Sequence, residues 1–167
     1  MRKRIRVRPG DFVAIPLPSG GYGYGRVLNK LVAFYDLKTN EVTDINEVAK
    51  HGVIFKTAVH VSAFSGGCWP VIGFRTLELE FLEPTKFFRR DPSGVEFLIY
   101  VSKPTPPNSY EEYNATAEEC VGLEPLLVWE SNQISHRLED HFSGRKNEHI
   151  LHYINKLLDR GGRRFIN

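Results

Sequence analysis

The sequence has few of the features that disulfide-stabilised, metal-binding or membrane-spanning proteins need. It contains two cysteines, Cys68 and Cys120, whose spacing fits neither a metal site nor a redox motif. Both are expected to be reduced thiols, as is usual inside a cell. The apolar runs fall short of the about 18 residues that a membrane span requires, and charged residues interrupt the N-terminal segment where a signal peptide would be apolar. These absences predict a cytoplasmic protein without a membrane anchor.

The composition is that of an ordinary globular domain with an uneven charge distribution. The 167 residues are 41% hydrophobic and 25% charged, which suits one domain with a substantial core. The net charge of +2 conceals a mildly acidic body, because five basic residues lie within the first eight. In an extended chain, Arg2, Arg4, Arg6 and Arg8 share one face. This face is either a phosphate-contacting stripe or a solvated edge strand, and the lack of interleaved aromatic residues favours the edge strand.

The segment from Val7 to Asp36 predicts three consecutive strands, around which the rest of the chain is organised. The strands are expected over 12–17, 22–28 and 31–35. The connection Pro18-Ser19-Gly20-Gly21 supplies residues that tolerate a tight turn. Glycines inside the second strand favour a bend or a close backbone approach, and therefore a strongly curled sheet.

Two tyrosines and an arginine in the second strand are candidate partner-binding residues. Tyr22, Tyr24 and Arg26 alternate with glycines, so they share one face of the strand. The tyrosines are either an exposed recognition pair or side chains packed into the fold, and Arg26 is either a partner-binding or a structural cation. The glycine run lacks the spacing of a dinucleotide fingerprint and leads into a strand, so no nucleotide cofactor is predicted.

The remainder of the chain predicts a β-rich body followed by helices. Residues 86–89 and 95–101 form a second predicted hairpin around Asp91-Pro92-Ser93-Gly94, and Trp69 is expected in the core. A proline-rich segment, 103–109, is a predicted linker between a body of residues 1–102 and a C-terminal part, 110–167, packed on the same domain. The fold class is α+β, mainly β: a curled antiparallel sheet or partly open small barrel with C-terminal helices packed on one side.

The C-terminal part carries the other candidate site residues. The sequence Thr116-Ala117-Glu118-Glu119 matches a capping box and predicts the start of a short helix. Its two glutamates belong to an acidic segment that either engages a basic partner or is a solvated face, and that consists of Glu111, Glu112, Glu118, Glu119 and Glu124. His149 and His152 are three residues apart, whereas a helical zinc motif needs a spacing of four. Neither these histidines nor Cys68 has a neighbouring group that completes a catalytic or metal site. No catalytic residue, metal or other cofactor is therefore predicted.

Several short motifs, in their order and spacing, resemble the immunity protein 26 family. Such proteins are encoded beside bacterial polymorphic toxins and are thought to neutralise them. At Cys68 the sequence departs from the basic residue that the resemblance leads one to expect. The resemblance covers roughly the first hundred residues and rests on Pro9–Asp11, Ala14–Leu17, Gly20–Val27, Phe34–Asp36 and Gly67–Gly73.

The resemblance implies a non-enzymatic immunity protein that binds a cognate toxin, the product of a neighbouring gene, in contact-dependent inhibition. The partner-binding residues would then be sought among Tyr22, Tyr24, Arg26, Glu118 and Glu119. The alternative is a nucleic-acid-binding small barrel of the Tudor or Sm type, supported by the tyrosine pair and the arginine face. Salt-dependent binding to RNA or DNA would distinguish the two. Nucleic acid is the less favoured partner, and the sequence predicts no particular oligomeric state.

Overall fold

The computed structural model describes residues 6–158 and places them in two β-sheets with four helices. In these residues the strands are β1 Asp11–Pro16, β2 Tyr22–Val27, β3 Val32–Tyr35, β4 Val53–Val59, β5 Val71–Phe74, β6 Thr85–Arg90, β7 Phe97–Lys103, β8 Ser109–Ala115, β9 Glu124–Pro125 and β10 Val128–Trp129. The helices are α1 Ile45–Val48, α2 Ala117–Cys120, α3 Ser131–Phe142 and α4 Glu148–Leu158, with 3₁₀ turns at Val61–Phe64 and Leu79–Leu82.

The six-stranded sheet has the order β10-β4-β3-β2-β1-β5. Strands β1, β2 and β3 pair with one another in chain order, as predicted, and Ala14 of β1 lies opposite Tyr24 of β2. All pairs are antiparallel except β10 with β4. Register shifts in the β1–β5 and β3–β4 pairs add local twist to the sheet.

The central strands of the six-stranded sheet, β1 to β3, are buried on both faces. Because of this, β1 reads as a nearly continuous apolar run rather than an alternating one. One face packs against α3 and, through Ile150, against α4. The other face is covered by α1 and by the 3₁₀ turn that carries Phe81. The first face contributes Val13, Ile15, Phe34, Phe55 and Trp129 to the core, where Trp69 packs from the loop before β5. The second face contributes Phe12, Ala14, Tyr24, Ala33 and Tyr35.

The glycines of β2 allow the close packing predicted from their position. A Cβ atom at Gly23 would lie 3.0 Å from the Leu138 Cδ1 atom of α3. At Gly25 it would lie 2.9 Å from Val32 Cγ1 and 3.3 Å from Val13 Cγ2. The two glycines therefore leave room for α3 and for neighbouring core side chains on one face, while Tyr22 and Tyr24 point to the other.

The four-stranded sheet has the order β8-β7-β6-β9. The predicted hairpin of β6 and β7 is confirmed, and β8 extends it antiparallel along seven residues of β7. The alternating burial of β7 shows that one face of this sheet is covered. The residues on that face include Phe88, Phe97, Ile99 and Val101, and they pack with Ala117 of α2 and Ile154 of α4.

Arg137 of α3 connects the two sheets. Its guanidinium makes a bidentate pair with Glu124 of β9, with N···O distances of 2.9 and 2.5 Å. The same group lies 3.6 Å from the ring centroid of Phe55 in β4 and 5.0 Å from that of Trp129 in β10. One side chain thus joins the edge of the smaller sheet to the aromatic core of the larger one.

The predicted fold class is confirmed: the described residues form a mainly β, α+β structure with curled sheets, no closed barrel and C-terminal helices on one side. Trp69 is buried in the core, as expected. The proline-rich segment 103–109 contains the turn that joins β7 to β8, so both of its ends are held in one sheet. The division of the chain at this segment stays a prediction, and residues 159–167 of the C-terminal part lie outside the described residues.

Candidate functional site

Tyr22 and Tyr24 share a face of β2, but they differ in exposure. Tyr24 is fully buried, and its hydroxyl accepts a hydrogen bond from the Thr43 N–H at 3.0 Å and lies 2.5 Å from Thr39 Oγ1. Tyr22 is half-buried, and its backbone exchanges two hydrogen bonds with that of Thr39. Tyr24 is therefore packed into the fold, which is one of the two alternatives predicted for the tyrosines. Its hydroxyl holds the loop after β3 against the sheet. Tyr22 keeps some exposed surface.

Arg26 is 1% exposed and ties β2 to the segment after β5. Its guanidinium donates to Glu78 Oε2 at 2.5 Å and to the backbone carbonyls of Arg75 and Thr76 at 2.8 and 2.9 Å. It also lies 4.6 Å from the ring centroid of Phe12. These contacts make Arg26 a structural cation in this conformation. In this conformation almost no surface of Arg26 or Tyr24 is accessible to another protein.

Arg26 lines a cleft of about 280 Å³ between the segment that follows α1 and the segment that follows β5. Burial raises the pKa of Tyr35 in this cleft, although a hydrogen bond with Arg26 and the charge of Arg26 act in the opposite direction. Burial also acts to raise the pKa of Glu78, but hydrogen bonds from its own backbone and from Arg26 outweigh it, so this pKa is lowered. The Arg26–Glu78 pair is engaged internally, whereas Glu80 at the rim is exposed. The charged pair in this cleft therefore stabilises the fold, and Glu80 is the accessible carboxylate at its rim.

Glu118 and Glu119 lie in α2, beside the four-stranded sheet and not with Tyr22 and Arg26. The predicted capping box is confirmed: the Glu119 carboxylate accepts from the Thr116 N–H at 2.7 Å, and the Thr116 hydroxyl accepts from the Glu119 N–H. Both glutamate side chains are exposed. The Glu119 side chain thus caps the N-terminus of α2 and is also accessible to solvent. The participation of all five predicted residues in partner binding stays a prediction.

Sequence reasoning missed the exposed strand that precedes α2. Residues 110–114 were counted as part of an acidic segment, but all five are exposed members of β8. Tyr100 of β7 stacks on Tyr110 with ring centroids 4.9 Å apart, and Arg89 of β6 pairs with Glu112 at 2.8 Å. The Tyr-Glu-Glu-Tyr sequence lacks the apolar alternation that predicts a strand. The only sequence signal for this strand was that its tyrosine and glutamate match Tyr100 and Arg89 of the preceding hairpin.

The cysteines and histidines remain separate in the described residues. Cys68 is exposed and Cys120 buried, both as free thiols, and burial raises the pKa of Cys120. His149 lies edge-on to Trp129 at 5.0 Å, and burial together with the charge of His152 lowers its pKa. In residues 6–158 no group of three or more His, Cys, Asp or Glu side chains is arranged to hold a metal ion.

The N-terminal arginine face is only partly described. Arg2 and Arg4 lie outside the described residues. Arg8 lies 3.9 Å from the centroid of the Phe74 ring and 3.5 Å from an Asp11 carboxylate oxygen. These contacts attach Arg8 to β1 and β5, so its charge is partly used within the fold.

The architecture defines a small α+β protein with two sheets, in which Arg26 and Arg137 hold neighbouring segments together. None of the helices within residues 6–158 is both long and apolar enough to cross a bilayer. No curated protein and no solved structure gives a significant match to the chain. The chain belongs to the immunity protein 26 family, whose family model matches residues 8–97, just over half of its length. Membership supports an immunity function in general, and hence a toxin partner.

Proposed function

We propose that this protein neutralises one cognate bacterial toxin by binding it directly. The observation that carries this proposal is the family match over residues 8–97, which takes in β1 to β6 and the start of β7. The toxin would be the product of a neighbouring gene in a polymorphic, contact-dependent system. Neutralisation would take place in the cytoplasm of the cell that makes the immunity protein.

Inhibition by binding, rather than by chemistry, agrees with how the charged residues are used. The most buried cation, Arg26, already has a carboxylate and two carbonyls as partners. Arg137 is likewise held by Glu124. Buried charges that are paired in this way hold a fold together. The groups that remain accessible to another protein are on the surface, where affinity comes from contact area and charge complementarity.

The test is growth rescue with co-purification. The C-terminal domain of the large secreted protein encoded next to this gene is expressed in host cells, with and without the 167-residue chain. Direct immunity predicts that growth is restored and that the two proteins elute together at a fixed ratio. Continued toxicity while both proteins accumulate in folded form would refute the proposal for that pair.

A second arm separates direct binding from indirect protection. Purified toxin domain and purified immunity protein are mixed, and association is measured by calorimetry. Direct neutralisation predicts binding without any other cellular component. Rescue of growth without binding in the purified mixture would contradict the direct mechanism.

A further inference from the structure

The sheets within residues 6–158 end in four edge strands, and three of these are protected against pairing. β10 and β9 have two residues each, and β9 contains Pro125. β5 has four residues, and its register with β1 is irregular. Short length, proline and bulges are common devices that prevent an edge from pairing with another chain.

β8 has none of these three devices, although it carries the charged residues Glu111 and Glu112. It has seven residues and pairs with β7 along its whole length without a register shift. Its sequence, Ser-Tyr-Glu-Glu-Tyr-Asn-Ala, contains no proline, lysine or arginine. On the outer side of β8, the backbone N–H and C=O groups of every second residue point away from the sheet. They form a regular edge with which another strand can pair.

The side chains of β8 suit recognition on both faces of the strand. Tyr110 is 57% exposed and Tyr113 is 43% exposed, and their odd spacing places them on opposite faces. The Tyr110 ring is held against Tyr100, so little conformational entropy is lost when it is buried by a partner. Tyrosines fixed in this way are typical anchors of protein interfaces.

The charge of this edge specifies the partner. From Ser109 to Glu119 the chain has four glutamates and no basic residue. Glu111 and Glu112 pair with Lys103 and Arg89 of the neighbouring strands, so the charge offered to a partner is mainly that of Glu118 and Glu119. At the end of β8 an open groove of about 400 Å³ is lined by Val95, Glu96, Thr116 and Glu119, among other residues. A lysine or arginine side chain fits such a groove, because its stem can lie on the valine and its cation near the carboxylates.

The same charge disfavours a second copy of this chain as the occupant. If two β8 strands paired antiparallel about their centres, Glu112 would face Glu112, and Tyr113 would face Glu111. Like charges directly opposite each other destabilise a strand pair. A basic strand from a different protein has no such cost.

We propose that β8 is the docking edge for the toxin, and that the toxin adds an extended, lysine- or arginine-bearing strand to the four-stranded sheet. This inference rests on the proposed function, since the partner is the same toxin. The bound strand would gain backbone hydrogen bonds from β8, contacts with Tyr110 and Tyr113, and ion pairs with Glu118 and Glu119.

The test uses two proline variants that serve as controls for each other. Of two consecutive residues in an edge strand, one directs its N–H to the neighbouring strand and the other directs it outward. Glu111→Pro and Glu112→Pro should therefore differ: one loses stability, and the other folds with little change. The variant that folds is expected to bind the purified toxin domain at least about tenfold more weakly, because an outward hydrogen bond and the strand fit are lost.

Two charge-reversal variants test the proposal without introducing proline. Glu118→Lys reverses an exposed charge beside β8 without touching the capping contact of Glu119, whereas Glu41→Lys makes the same change in the loop after β3. Weaker toxin binding for Glu118→Lys, with wild-type affinity for Glu41→Lys, is the expected result. Wild-type affinity for both Glu118→Lys and the folded proline variant would overturn the inference while the immunity function stood.

Two further outcomes would also overturn it. If the wild-type chain is a dimer in solution and the folded proline variant is a monomer, the edge is used by a second copy. If the wild-type chain does not bind the toxin domain at all, the proposed function fails for that pair, and the docking edge fails with it.

Discussion

The two sheets of this protein differ in how much of their surface is covered. The six-stranded sheet has core side chains on both faces, and its edge strands are short or irregular. The four-stranded sheet has one clearly covered face and ends in the exposed strand β8. The larger sheet therefore contributes most of the buried core, and the smaller sheet leaves one strand accessible to another protein.

The difference is visible in residue patterns. β1 and β3 are buried at nearly every position, as expected for strands with a core on each side. β7 alternates buried and half-buried residues, and β8 has five consecutive exposed residues. A substitution should therefore be costly in the first sheet and cheap on β8.

The largest expected effect comes from removing a core aromatic ring from the larger sheet. Phe34 is fully buried, with ring centroids 4.8 Å from Phe55 and 6.0 Å from Trp69. Phe34→Ala should reduce the free energy of unfolding by about 3–5 kcal/mol. Tyr113→Ala on β8 should change it by about 0.5 kcal/mol or less. Urea denaturation measures both, and equal losses would contradict the division of roles.

The next effect concerns the residue that joins the sheets. Arg137→Ala removes the bidentate pair with Glu124 and the contact with Phe55, both largely shielded from water. The expected loss is about 2–3 kcal/mol, since it leaves Glu124 without its cation. Arg137→Lys should recover only part of this loss, because an ammonium group cannot make the planar two-point contact. Full recovery by lysine would show that charge alone matters at the junction.

A smaller effect is expected from filling space beside β2. In Gly25→Ala the new methyl group would lie 2.9 Å from Val32 Cγ1, and valine has little freedom to move away. A loss of about 1–2 kcal/mol is expected in thermal or urea unfolding. The matched control is Gly52→Ala, where no atom lies within 4 Å of the new methyl group. Gly52→Ala should be neutral or slightly stabilising, and a stable Gly25→Ala would mean that this packing is looser than described.

The smallest effect is a pH dependence at the Arg26–Glu78 pair. The pKa of Glu78 is lowered in the folded protein, so its contribution to stability is complete above its ordinary value of 4.5. That contribution is lost as the pH falls through the lower folded pKa. Glu78→Gln should be less stable than the wild type at pH 7, and the difference should shrink below pH 4.5. The effect is small because the Glu78 side chain is 38% exposed and screened by water. Equal stability of Glu78→Gln and the wild type at both pH values would show that the Glu78 side chain contributes through its shape rather than its charge.

Local patterns were sufficient to predict much of the fold. The β1–β2 hairpin, the β6–β7 hairpin and the Thr116 capping box each depend on residues close in sequence. The parallel pairs of β10 with β4 and β9 with β6 could not be predicted, because they involve two residues each and partners far away in the chain. The same reason applies to Arg26, whose burial depends on Glu78, 52 residues later.

The candidate surface was harder to predict than the fold. Tyr22 and Tyr24 were correctly placed on one face of β2, but the sequence gave no indication of which loop would cover Tyr24. β8 was not predicted as a strand because glutamates occupy both of its faces. Their partners, Arg89 and Lys103, lie on the two preceding strands of the same sheet. A charged edge strand is recognisable only once its neighbours are known.

The most direct test of the central claim is amide hydrogen exchange of the immunity protein, free and bound to the purified toxin domain. The six-stranded sheet should be protected in both states, since its amides lie in a covered core. Binding should add protection at residues 109–115, because a new strand would engage the outward amides of β8. New protection confined to the cleft of Arg26 and Glu78, with residues 109–115 unchanged, would contradict the account and place recognition on the larger sheet.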